Sequence, residues 1–245
     1  MKKFVVKFLS LDVVYYLAKK NEFLLMMASI FLIGLGLFWG LFIAPTDYQQ
    51  GDSYRIMFIH VPCAILSLFT YLILGINSFI FLVWKFKIND LVNKSLLPLG
   101  ILFTVITLIT GSIWGKPTWG TYWIWDARLT SELILLFIYL GIFAIRLAFK
   151  NQKLESKVAS YFTLIGLIDL PIIHYSVYWW NSIHQGATLS LISHKNIDLH
   201  MLWPLLMMLM GIFCYFLWTL SIRIRIEIIR SKLNTNWMRV NKGNL

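Results

Sequence analysis

Six apolar runs, at about 23–43, 56–84, 96–114, 129–149, 158–180 and 201–222, dictate what this chain can become. Each approaches or exceeds the roughly 20 helical residues that cross a hydrocarbon layer. In lipid every backbone N–H and C=O must be satisfied within its own segment, so the runs are read as helices. The predicted fold class is an all-α integral membrane protein, a six-transmembrane helix bundle forming a single membrane domain over 1–245. A soluble domain is excluded, because 59% of the residues are hydrophobic and only 13% are charged, too few to wet a surface.

The formal charge of +11 would suggest nucleic acid in a soluble protein, but its distribution points to topology. Of the 22 lysines and arginines, all but Arg55, Lys116, Arg128 and Lys195 lie in the N-terminal segment, the 85–95 and 146–157 connections and the C-terminal tail. The positive-inside rule then predicts both termini on the cytoplasmic side, or the matrix side for an organellar gene, with the connections at 44–55, 115–128 and 181–200 facing outward. No nucleic-acid partner is expected. The basic tail over 223–245 is read as a topology anchor, with a helix on the anionic lipid surface as the alternative. Lys2, Lys3 and Lys7 precede an apolar run with no small-residue cleavage site after it, so a cleaved signal peptide is not expected. Cys63 and Cys214 stand singly inside apolar runs and suggest neither a disulfide nor thiol chemistry.

The third and fourth runs are joined by an outward loop, 114–130, that reads Trp114-Gly-Lys-Pro-Thr-Trp119-Gly-Thr-Tyr-Trp123-Ile-Trp125-Asp126-Ala-Arg128-Leu-Thr130. Interfacial belts enrich tryptophan at the headgroup level, but scatter it along helix ends; here four are concentrated in one connection. So much exposed aromatic area needs a cover, and a flat apolar ligand would supply one. Gly111-Ser-Ile-Trp-Gly115-Lys116-Pro117 echoes a phosphate loop, but the glycine spacing is one short and proline replaces the hydroxyl residue. No catalytic triad or acidic cluster is recognisable, and no enzymatic activity is expected.

The pattern Trp-Gly-x-x-x-Trp-Gly-x-x-Trp-x-Trp-Asp-x-Arg-Leu-Thr resembles the tryptophan-rich signature of haem-handling membrane proteins of cytochrome c biogenesis. From about Ala44 to His184 the chain is similar to the haem exporter protein C family. The likeness includes Arg55-Ile-Met-Phe-Ile-His60-Val-Pro62 and Leu170-Pro171-Ile-Ile-His174-Tyr-Ser-Val-Tyr-Trp179-Trp180-Asn181-Ser-Ile-His184-Gln-Gly186. Cys63 departs from it, standing where a small residue such as alanine is expected, and beyond Gly186 only apolar character is shared.

The resemblance implies haem b, held non-covalently and transiently on the outer face, with His60 and His184 as axial ligands of the iron. The tryptophans Trp114, Trp119, Trp123 and Trp125 would form the platform. It further implies an outward-facing haem chaperone as receiver, with ATP-binding-cassette transporter subunits and a small single-span subunit as partners in a bacterial inner membrane, or a mitochondrial one. The placement is physically sensible: His60 lies about one turn inside its span and His184 just past the end of another, both near the outer interface. Arg55 and Arg128, which face outward beside them, are candidates to pair with the two propionates, and Asp126 to orient Arg128 or a backbone donor.

His174 lies ten residues before His184, about 15 Å deeper on a helix, and is expected to join a buried polar cluster with Asp169 at a helix break near Pro171. His194 and His200 are read as solvated or interfacial. Two other functions remain open at this stage: a bis-histidine cytochrome b type electron carrier, and a haem-free transporter with a polar midplane path.

Overall fold

The computed structural model describes residues 10–180 and 198–242, with side chains to 233. All six spans are present as helical segments long and apolar enough to cross a membrane. A short helix α1 (Leu11–Lys20) starts at Ser10, whose hydroxyl accepts from the Val13 amide. Helix α2 (Glu22–Phe38) widens into a π-type turn over Trp39–Ile43. A 3-10 turn at Asp52–Ile56 feeds α3 (Met57–Trp84). A two-residue link follows, with Lys85 in the left-handed region as the C-cap, and α4 runs over Lys87–Trp119.

Helix α5 spans Ala127–Ala148, and α6 (Gln152–Gly166) begins at Asn151, whose side chain caps the Lys153 and Leu154 amides. The fifth span then breaks before α7 (Asp169–Trp179). Pro171 accounts for the break: its ring would clash with the Leu167 carbonyl four residues back, and it has no N–H to offer it. The Leu170 amide bonds that carbonyl instead, at 3.3 Å, leaving Pro171 in the first turn of a new helix. The last helix, α8 (Leu199–Lys242), is 44 residues long, roughly 66 Å at 1.5 Å per residue, so it projects well beyond a bilayer.

The helices alternate up and down. Antiparallel α3 and α4 form the centre, α5 with α6 and α7 packs on one flank, and α2 with α8 on the other. Polar ties stitch the layers. The Ser67 hydroxyl donates to Glu132 at 2.8 Å between α3 and α5, Tyr139 donates to the Ser67 carbonyl at 2.9 Å, and Tyr71 to the Thr163 carbonyl at 3.0 Å. In a medium without water, each such bond satisfies a group that has few alternatives.

Several helices outrun their apolar windows. The third span, expected over 96–114, is helical over Lys87–Trp119, because its polar first turns are neutralised within the protein. Asp90 and Lys94 of α4 meet Arg146 of α5 and Glu155 of α6 in a buried group of two cations and two carboxylates. The basic clusters collect at this end of the bundle. There Arg223 of α8 bonds the Ser95 carbonyl, Arg225 pairs with Glu22 at 2.9 Å, and Lys232 pairs with Asp12 of α1. The tail from Arg223 is thus the continuation of the last spanning helix, docked on α1 and α4.

Candidate functional site at the tryptophan end

The opposite end carries the tryptophans, though less as a loop than the sequence suggests. Helix α4 continues to Trp119, so Trp114 and Trp119 are helical, and only the segment from Gly120 to Asp126 is irregular. Pro117 does not end the helix: Gly120 does, taking φ +81°, where its amide bonds the Lys116 carbonyl at 3.0 Å. The Lys116 ammonium donates to the Gly120 carbonyl at 2.9 Å and lies 5.4 Å from the centre of the Tyr122 ring. Trp119 folds back over Gly115, where an added Cβ would sit 3.0 Å from the indole.

His60 lies in the first turn of α3, and its ring meets Trp114 edge-on at 5.6 Å. Its Nδ1 lies 3.0 Å from the Thr110 hydroxyl oxygen, and its Cε1 lies against Gly111. The Trp114 indole N–H donates to Gln50 at 2.8 Å, so the 44–56 connection holds Trp114 from the side. Trp123 and Trp125 meet edge-on at 5.6 Å; Trp125 is 78% exposed, while the Trp123 indole nitrogen is buried without a described acceptor. Asp126 caps α5, accepting from the Arg128 amide at 2.8 Å.

The two arginines differ in how they are used. Arg55 is committed: Nε donates to Asp52 at 3.0 Å, Nη2 to the Ala44 carbonyl at 3.0 Å and Nη1 to the Gly40 carbonyl. It clamps the end of α2 to the start of α3. The half-buried Arg128 guanidinium meets no hydrogen-bond acceptor among the described residues, and it feels the charges of Glu132 and Asp126. Arg55→Met is therefore expected to cost about 2 kcal/mol through loss of charge-assisted bonds to two backbone carbonyls. Thermal unfolding in detergent reads this, and Arg55→Lys should recover only part, because an ammonium lacks the fork that spans both carbonyls. A parent-like midpoint in Arg55→Met would refute the clamp.

The proposed second ligand, His184, lies outside the described residues, as does His194. His200 is exposed, and its amide bonds the Asp198 carboxylate at 2.7 Å. One expectation fails: His174 does not join Asp169 in a buried cluster. Asp169 is buried, but His174 is exposed on α7 and edge-on to Tyr175. Five residues of helix turn the chain by about 500°, so the two side chains leave on faces about 140° apart.

Helix α7 contributes aromatics that the loop motif did not single out. Tyr175 stacks on Trp179 at 5.4 Å, Trp179 meets Trp180 edge-on at 5.8 Å, and Tyr178 is exposed near Arg128. Their dense spacing, Tyr175-x-x-Tyr178-Trp179-Trp180, is a readable signal. Thr110 and Gln50 had none, since each matters only through a partner on another segment.

Fold and site together define a multi-pass membrane protein with a tryptophan-rich rim and a fixed histidine beside it. The family model described as "Heme exporter protein C" matches residues 4–239, and the chain belongs to that family. It is 42% identical to "Heme exporter protein C" of Haemophilus influenzae over 225 residues, covering 92% of each chain. It is 52% identical over 164 residues to the Escherichia coli protein of the same name, covering 67% of each. A "putative cytochrome c biosynthesis ccmC-like mitochondrial protein" of Marchantia polymorpha is 45% identical over 183 residues, 75% of this chain and 77% of that one. Relatives thus occur in both bacteria and mitochondria.

Proposed function

We propose that this chain exports haem for cytochrome c maturation by holding it at the tryptophan end and handing it to a chaperone. Both termini and the basic end face the cytoplasm, and the tryptophan end faces outward from a bacterial inner membrane. His60 and His184 ligate the iron of a non-covalent haem b, and Trp114, Trp119, Trp123 and Trp125 offer the apolar rim on which the porphyrin lies. Arg128, whose guanidinium meets no described acceptor, pairs with a propionate; Arg55 would have to give up a protein partner to do so. Asp126 holds the backbone of Arg128 in place.

The observation that carries this reading is the fixed imidazole of His60 against Trp114, at the end of the bundle where the tryptophans emerge. Among the described residues no three His, Cys, Asp or Glu approach closely enough to form a metal site of their own. An iron held here by imidazole takes its remaining ligands from a porphyrin. Placement at a bundle end, on a rim of exposed rings, suits release to a receiver better than permanent electron transfer. By the same reading the receiver is an outward-facing haem chaperone, within a complex with ATP-binding-cassette subunits and a small single-span subunit.

The test is the absorption spectrum of the detergent-purified protein beside His60→Ala, His184→Ala and the double variant, each checked for fold. The parent is expected to show six-coordinate haem, each single variant a changed coordination state, and the double variant loss of axial ligation. Spectra identical across the set would place the iron elsewhere and end the proposal.

A further inference from the structure

We infer that Thr110 is a positioning residue that sets the tautomer of His60, so that the imidazole carries its proton on Nδ1 and presents Nε2 to iron. This rests on the reading of His60 as an axial ligand. The direction of the His60–Thr110 hydrogen bond follows from the hydroxyl's other contacts. A threonine hydroxyl has one proton, and the Thr110 oxygen lies 2.6 Å from the Ile106 carbonyl, one turn back on α4, with the Thr107 carbonyl at 3.3 Å. A carbonyl can only accept, so the hydroxyl proton points along the helix. Towards His60 the same oxygen has only lone pairs to offer. At 3.0 Å it accepts, and Nδ1 must be the protonated nitrogen.

The ring is held on more than this one atom. Gly111, the residue after Thr110, lets Cε1 approach so closely that a Cβ there would lie 3.1 Å away. Trp114, one turn further along the same face of α4, closes on the ring edge-on and is itself held by Gln50. One helix therefore fixes the tautomer, the rotation and the packing of a ligand carried by another.

The choice of partner also bears on release. A histidine ligand whose second nitrogen donates to a carboxylate becomes more basic and binds its metal more tightly; a neutral hydroxyl oriented by a carbonyl fixes the ring with little such effect. Thr110 thus gives orientation without the extra affinity that would oppose handing haem on.

The experiment compares the parent with Thr110→Val, which keeps the shape and removes the acceptor, and Thr110→Ser, which keeps the acceptor. In haem-free protein with 15N-labelled histidine, assigned through His60→Ala, the His60 ring shifts should report Nδ1 protonation in the parent and in Thr110→Ser. In Thr110→Val they should move towards a mixture of tautomers. With haem bound, Thr110→Val should lose haem to an apo-acceptor faster by roughly 10–100-fold, the usual range for loss of an orienting partner, with a shifted midpoint potential. Thr110→Ser should stay close to the parent. An Nε2-protonated His60 in the parent, or a Thr110→Val protein unchanged in both readouts while His60→Ala abolishes the spectrum, overturns this inference and leaves the haem site standing. A His60→Ala protein with an unchanged spectrum overturns both.

Discussion

Arg146→Met is expected to destabilise the protein by roughly 3–5 kcal/mol, as removal of one partner from a buried ion pair does. Arg146 lies 3.0 Å from both Asp90 and Glu155, and all three side chains are under a tenth exposed. Lys94 completes the group at 3.0 Å from Glu155 and 3.5 Å from Asp90, so charge balances at two of each sign. Methionine matches the aliphatic stem of arginine but leaves two buried carboxylates sharing one ammonium, where neither has water to turn to. The unfolding midpoint in detergent should fall sharply, and adding Asp90→Asn should restore much of the loss, since Glu155 and Lys94, 3.0 Å apart, then balance one another. A parent-like midpoint in the single variant would mean that water already reaches the group. The group fastens three consecutive helices, α4, α5 and α6, at the end opposite the tryptophan rim. Haem coordination should therefore survive in whatever fraction of Arg146→Met remains folded.

Gly100→Leu is expected to cost about 3 kcal/mol, at the upper end of what overpacking does, by forcing α4 away from α5. A Cβ at Gly100 would overlap the ring and hydroxyl of Tyr139. That ring cannot retreat: it is fully buried, its hydroxyl donates to the Ser67 carbonyl, and Tyr71 meets it edge-on at 5.1 Å. The helices approach here only because one of them lacks a side chain, the usual device for close packing in membranes. The control is Gly34→Leu on α2, where nothing lies within 4 Å of an added Cβ and the side chain would enter open space. Equal midpoint losses in the two variants would show that the effect is backbone propensity and not contact. Because α4 carries Thr110 and Trp114 while α5 carries Arg128, Gly100→Leu should also disturb the haem spectrum, which Gly34→Leu should not.

Much of this arrangement was legible before any coordinates. Six runs of apolar residues admit only helices in lipid, and all six are there. The bunching of basic residues anticipated that Lys19, Lys85, Lys150 and Arg223 would share an end, because up-and-down helices joined by short links leave no other choice. His60 beside the tryptophans was readable from the motif and its flanking sequence, and the two do meet. Boundaries were less legible. Hydropathy marks where lipid begins and not where a helix ends, so by hydropathy the Asp90–Lys94 turn and the Trp114–Trp119 turn both read as connections, whereas both are helical.

His174 shows the sharper limit. Its nearness to Asp169 along the chain suggested a shared polar cluster, but the helical angle between them sends one side chain into the bundle and the other out of it. Arg55 and Arg128 looked alike in sequence, each a lone basic residue beside an aromatic segment. Only the folded chain brings the Gly40 and Ala44 carbonyls to Arg55 and leaves Arg128 without a described acceptor.

The sequence by itself determined the solvent, the helical class, the number of spans and the sorting of charge to one end, because each follows from composition along a single segment. The tertiary structure alone decided that the Thr110 hydroxyl meets Nδ1 of His60, which arginine is engaged, and how Asp90, Lys94, Arg146 and Glu155 can be buried together. Those properties belong to pairs of groups far apart in the chain, and hydrogen bonds and ion pairs act only over a few ångströms that packing, and not sequence distance, brings within reach.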